Sequence, residues 1–482
     1  MSIASKDSFW IEFENTLTDK VLNLSASHEN YQSLLHELET LTRLTVEDDF
    51  RLSIPNEVLK LLLKIMQKSI HISLSVECAR ILRNSCGKNW QTFPQTWNQL
   101  LEECMQLLKS FLSKESPVEE VVLSNIILQC IGNLLNLWPS LSGTIWDNLQ
   151  SELCNLISHH DEKISLYSSC VMYGLLRNSA IMREEIVGEK WKDLVSGLIM
   201  SSHKGVLYSQ FSIKLYLCDQ NLLEKMYEKQ ELGSRLLLLH QISEFAPECE
   251  VDVRNWQFFS RLFQERSSII LRTCESSTMD LEAMEVTGLV EILAKSSSND
   301  VCHRELCPDE DLLVITIDLL RSIHCLGQSG SNYFTAINDH FGSVEPHPAL
   351  NFKCNLVRLL GNLCFKNPTA QDRVRELEAI APLLECCNLD ARNPFIQQWS
   401  ILAIRNVCEK NTANQEIIGS MSQRGVVQPT VLEDLGMVVE ATDSGISLRS
   451  FRRGNVRMMQ INNKFSSLSI LRIIADANRF VD

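Results

Sequence analysis

The sequence predicts an all-α chain, organised as an armadillo/HEAT-like right-handed helical solenoid of about ten repeats. Three observations predict it. Gly (18) and Pro (12) are scarce in 482 residues, too few for the many tight turns of an all-β chain. Apolar residues recur at helical spacing, as in Leu59, Leu62, Leu63 and Met66, and again in Leu356, Leu359, Leu360 and Leu363, whereas strict alternation is rare. A long apolar helix ending in Asn recurs at Asn84, Asn133, Asn178, Asn362 and Asn406, with spacings of 49, 45, 184 and 44 residues. The long interval divides into four steps of 46, and repeats of this class run about 40–47 residues. One helical hairpin cannot bury its apolar face alone, so stacking on its neighbours supplies the core.

The elements follow in order. ARILRNSC ends the first copy at Asn84. Val121 to Trp146 carries no charge and imitates a membrane span, but Ser124, Asn125, Gln129, Asn133 and Asn136 make it costly in lipid. A buried helix is expected there. MYGLLRNS closes the copy at Asn178, and residues 200–300 are the least regular. Residues 327–351 hold Gly, Ser, Asn and Pro without a helical stripe and read as a long loop inside an N-terminal repeat region, 1–349. Asn393-Pro394 opens a strong helix, because Asn caps and Pro suits the first turn. Trp399 anchors it and Asn406 ends it. A C-terminal armadillo-like domain is placed at 350–447 and a basic, poorly ordered tail at 448–482.

Charge excludes general nucleic-acid binding. The net charge is −15, and such binders need a basic footprint. Residues 449–482 carry seven basic and two acidic groups, net +5, which leaves −20 on the preceding 448. The tail reads as a variable terminus, with attachment to an anionic surface or nuclear targeting as the functional alternatives. The 17 cysteines lie in apolar runs without framework spacing, and MSIASKDSFWIEF lacks a signal-peptide pattern. Both point to reduced thiols in the cytosol or nucleus.

Enzyme signatures such as G-x-x-x-x-G-K-[ST], H-E-x-x-H and G-x-S-x-G are missing. No catalytic residue, cofactor or metal is expected. Cys302, His303 and Cys307 lack the second ligand pair that a zinc site needs. His159-His160 reads as a solvated turn, and Cys386-Cys387 as packed helix surface. The candidate partner-binding groove is Asn84, Asn133, Asn178, Arg358, Asn362, Arg405 and Asn406. An amide there can bond the backbone of an extended peptide. Alternatively, each Asn ties its own helix end to the next loop. Arg83, Arg177, Arg358 and Arg405 either line an acid-binding stripe or pair with carboxylates of the next repeat. Positions four before each Asn are Arg80, Gln129, Gly174, Arg358 and Leu402. None is Trp, which disfavours an import receptor that clamps basic peptides.

The strings FKCNLVRLLGNLCFKNPTAQDRV and CNLDARNPFIQQWSILAIRNVCEKNTANQEII resemble the C-terminal conserved domain of the ataxin-10 family. The resemblance runs through Arg358, Gly361-Asn362, Lys366-Asn367, Gln371-Asp372, Cys387 to Asp390, Asn393-Pro394-Phe395, Gln398-Trp399, Ala403 to Asn406 and Asn414-Gln415. It is dense over about 70 residues and weaker at Asn84 and Asn133. It implies a cytoplasmic, non-catalytic armadillo-like protein that acts through protein partners in cytokinesis, cell survival and signalling, and that self-associates. A regulator of a GTPase or G-protein subunit, as exchange factor or chaperone, is the alternative from another class.

Overall fold

The computed structural model describes residues 3–22, 28–51, 53–68, 71–86, 95–110, 117–219, 222–246, 249–275, 280–337, 347–421, 437–442 and 445–450. The chain forms two compact units, Met1–Leu238 and Leu239–Asp482.

The first unit begins with α1 (Ile3–Leu22), α2 (His28–Leu44) and the single turn α3 (Asp48–Arg51). Helical hairpins follow: α4 (Asn56–Lys68) with α5 (Ile72–Ser85), α6 (Gln95–Ser110) with α7 (Val118–Leu137), and α8 (Ser142–Ile157) with α9 (Glu162–Asn178). After the short α10 (Ala180–Ile186) come α11 (Lys192–His203) with α12 (Leu207–Leu217), and then α13 (Leu222–Lys229). α14 (Leu232–Phe245) carries the boundary between the units. Helices α2, α5, α7, α9 and α12 pack each on the next in one row, and α4, α6, α8 and α11 form a second row. The starts of α5, α7, α9 and α12 are 46, 44 and 45 residues apart. Two rows with this period are the organisation of the armadillo/HEAT class.

α7 shows why the repeat is needed. Among the described residues it is the one helix long and apolar enough to cross a membrane. It lies instead between α5 and α9, with Leu123, Ile127, Leu128, Ile131 and Leu135 inaccessible to solvent. A helix apolar on nearly every side must be buried on several sides. Its neighbours in both rows provide that burial.

The second unit contains α15 (Val253–Arg266), α16 (Leu281–Ser296), α17 (Asp300–Leu306), α18 (Glu310–Gln328), α19 (Phe352–Leu363), α20 (Pro368–Glu376), α21 (Ile380–Glu385), α22 (Ile396–Cys408) and α23 (Thr412–Ser420). α16, α19 and α22 form a row, backed by α15, α18, α20 and α21. The starts of α12, α16, α19 and α22 fall at 207, 281, 352 and 396, so the interval between Asn178 and Asn362 is not an even division into 46s. Part of the extra length is the segment between Gln328 and Phe352, which holds no helix among its described residues.

Close approach sets the geometry of the last pair. A Cβ on Gly361 would meet Ala403 Cβ at 2.8 Å and its Cα at 2.9 Å, so α19 and α22 touch where neither carries bulk. An antiparallel pair of strands, β1 (Met437–Thr442) and β2 (Gly445–Ser450), follows α23 and crosses the expected boundary between 447 and 448. The expectations for residues 451–482 lie outside the described residues.

Candidate functional site

Asparagine in a helix interior competes with its own backbone, so each copy of the repeated Asn needs an outlet for its amide. The structure gives four of the five one outlet in common. Asn84 Nδ2 donates to the Thr42 carbonyl at 3.3 Å. Asn178 Nδ2 reaches the Leu135 carbonyl at 3.1 Å, Asn362 the Ala294 carbonyl at 3.2 Å, and Asn406 the Gly361 carbonyl at 2.9 Å. Each acceptor lies in the last turn of the preceding helix of the row, whose final four carbonyls have no intrahelical donor. The Asn of one repeat therefore caps the helix of the repeat before it. Asn133 differs and is exposed. At the end of α5 before it, Ser85 Oγ and Cys86 Sγ already donate to the carbonyls of Ile81 and Leu82 at 2.7 and 3.3 Å.

The arginines beside these helices divide. Arg83 donates to Asn84 Oδ1 and to Gln129 Oε1 of the next helix. Arg177 is exposed and Arg405 half-buried. Arg358 stacks its guanidinium 4.3 Å from the Trp399 ring centroid, and its Nε is buried without a hydrogen-bond partner. Burial lowers the Arg358 pKa, opposed by Cys354 and Glu291. Glu291, however, is taken by Lys295 Nζ at 2.6 Å.

The string around Trp399 is largely structural. Asp390 is buried and accepts from the backbone N–H of Arg392 at 3.1 Å and from Asn393 Nδ2 at 2.8 Å. Lys353 Nζ stands 3.6 Å from Asp390 Oδ2, the oxygen that also accepts from Asn393. Asn393 Oδ1 accepts the Cys354 N–H at 3.1 Å and so ties this turn to α19. Arg392 donates to the carbonyls of Asn332 and Thr335 at 2.7 and 2.8 Å, which pins the segment before α19. A cavity of about 130 Å³ beside them is lined by His324, Phe334, Lys353, Glu385, Asp390 and Ile396. Burial lowers the His324 pKa, while Glu385 at 3.4 Å raises it and Lys353 lowers it.

Phe395, just before α22, has φ +65° and is 70% exposed. A bulky side chain in that region is a strained outlier. The Trp399 N–H closes on the Phe395 carbonyl at 3.1 Å, so the two rings stand one turn apart on one face. The periodic reading missed this aromatic pair because it counts Trp399 as a core anchor. In the first unit, Tyr173, Tyr208 and Phe211 form a half-buried aromatic group on α9 and α12.

Among the described residues no group of three His, Cys, Asp or Glu side chains could hold a metal ion. Cys307 Sγ accepts from Asn367 Nδ2 at 3.0 Å, and His159 Nδ1 accepts the Asp161 N–H at 3.0 Å within its turn. All 17 cysteines are free thiols. Burial pushes Cys354, Cys387 and Cys408 up to about 11 and Cys386 to about 12, which keeps them protonated and unreactive.

A family profile described as "Spinocerebellar ataxia type 10 protein domain" matches residues 352–449, from α19 into β2. Ataxin-10 of Xenopus tropicalis is 30% identical over 404 residues, which cover 80% of this chain and 82% of that one. The chain belongs to the ataxin-10 family. Human ataxin-10 is 28% identical over 464 residues, 87% of this chain and 94% of that one. An ataxin-10 homolog from Dictyostelium discoideum is 47% identical over 94 residues, 20% of this chain and 15% of that one. The resemblance read from Arg358 through Gln415 thus extends, at lower identity, over most of the chain.

Proposed function

We propose that this chain is a non-catalytic scaffold that binds protein partners through the open side of the α16–α19–α22 row. The observation that carries this is the surface made by Phe395, Trp399 and Arg358, where an exposed ring on a strained backbone stands one helical turn from the ring that stacks the guanidinium. Exposed aromatics with Arg are typical of residues that anchor protein interfaces. The Phe395 ring, 70% exposed, adds nothing to the core. Self-association belongs to the same reading, since the matched profile is named for homo-association. The free thiols fit a reducing compartment, the cytosol. The cytokinesis, survival and signalling roles implied by the family are part of the proposal.

A photo-crosslinking amino acid at Gln398, exposed on α22, tests it in cells. Discrete protein adducts are expected, and they should be absent when the same probe replaces exposed Glu376 on α20. Equal labelling from the two positions would refute a partner-binding face here.

A further inference from the structure

Arg358 holds an unusual position among the arginines with a buried, unbonded Nε. Arg51, Arg235, Arg266 and Arg373 have that feature too, but Arg51 and Arg235 have further partners, and the Nε atoms of Arg266 and Arg373 lie 3.0 Å from Glu285 and 3.8 Å from Glu310. Arg358 has no hydrogen bond and no carboxylate within ion-pair distance among the described residues. Its one ring contact among the described residues is Trp399, 4.3 Å from the centroid. A half-buried cation without a counter-charge is costly. The ring covers one face of the planar group and Nε is buried, which leaves the two Nη nitrogens as the donor pair that takes a carboxylate end-on through two parallel hydrogen bonds. Glu291, the acid whose charge acts on Arg358, is held at 2.6 Å by Lys295 on its own helix. Phe395 and Leu402 lie one turn to either side of Trp399 and supply apolar contact beside the charge.

We infer that the Arg358–Trp399 pair is the receptor for a side-chain carboxylate of an acidic peptide segment in a partner protein, with an apolar neighbour seated on Phe395. This rests on the partner-binding reading above and names the chemistry of that surface. Sign excludes the chain's own +5 segment, 449–482, as the occupant.

A random twelve-residue phage library panned on the full chain tests it. Selected peptides should be enriched in Asp or Glu. By fluorescence anisotropy they should bind Arg358→Gln at least about tenfold more weakly, with Arg358→Lys in between, because Lys keeps the charge and loses the fork. Trp399→Leu should weaken them as well, and circular dichroism should show each variant folded. Peptides that bind wild type and Arg358→Gln alike would overturn the inference and leave the scaffold reading standing. Enrichment in Lys and Arg would overturn it too, as would failure to recover any Arg358-dependent peptide. Displacement by inorganic phosphate beyond that by chloride of equal ionic strength would reassign the site to phosphoryl groups and overturn the carboxylate.

Discussion

Asn406→Ala separates capping across repeats from simple burial. Asn406 is 5% exposed, and its amide donates to the Gly361 carbonyl at 2.9 Å across 45 residues. Removing it deletes one hydrogen bond, about 1 kcal/mol net, and strands a buried carbonyl, about 1–3 kcal/mol. The better helix propensity of Ala returns about 0.5 kcal/mol. The net expected loss is about 2 kcal/mol. Asn133→Ala, in the same motif but exposed, is expected to change stability by no more than about 0.5 kcal/mol. Urea unfolding followed by circular dichroism gives the two midpoints, and hydrogen exchange of the amides at the end of α19 localises the loss. Asn406→Asp, nearly the same size, aims a carboxylate at the carbonyl and should cost at least as much as Ala. Equal losses at 133 and 406, or an Asp variant as stable as wild type, would refute capping as the role of the series.

Four further outcomes are expected. Gly361→Ala places a methyl 2.8 Å from Ala403 Cβ and should destabilise by about 1–3 kcal/mol, with partial recovery in the Ala403→Gly background, measured by thermal unfolding. Asp390→Asn leaves Lys353, paired at 3.6 Å and nearly buried, without its counter-charge, and should cost about 3 kcal/mol in the same assay. His324 has its folded pKa lowered below 6.5, so the unfolded chain takes up the proton first. Stability should be full above pH 6.5 and fall below it, and His324→Gln should flatten that decline in urea titrations at several pH values. Brief treatment with iodoacetamide should label exposed Cys218 and Cys325 well before Cys78, Cys104, Cys130 and Cys364, which are buried, as read by peptide mass spectrometry.

The helical class and the repeat were legible because burial forces them. Leu59, Leu62 and Met66 on α4 are spaced for one buried face and are buried there. The Asn copies were legible as a series because capping of the preceding helix recurs with the period of the fold. Their role was not. The acceptor of Asn362 is 68 residues away, and no spacing rule within a repeat names Ala294. The even division of the interval from Asn178 to Asn362 failed for a related reason. Apolar faces fix the identity of helices, but connection length costs little, so α16 and α19 drift from the period. The strand pair at 437–450 was missed because its six-residue strands are too short to stand out in a chain dominated by helical spacing.

The segment from Lys353 to Gln415 turns many of its polar side chains to its own backbone and turns. Asp390 and Asn393 shape the turn before α22, Arg392 pins the segment before α19, and Asn367 and Asn411 cap α20 and α23. Gln371 bonds the carbonyls of Cys364 and Asn406 at 3.2 and 2.9 Å. A residue that completes the fold has its hydrogen bonds inside the fold. A residue kept for another molecule has donors left over, and the fold bears their cost. By that criterion the family-specific string is mainly architecture, and Arg358 stands apart. It sits four positions before Asn362, where the repeat pattern alone gives no reason to prefer it to Gln129 or Leu402 at the corresponding sites. What distinguishes it is tertiary: Trp399, 41 residues later, comes beneath it while no acid does.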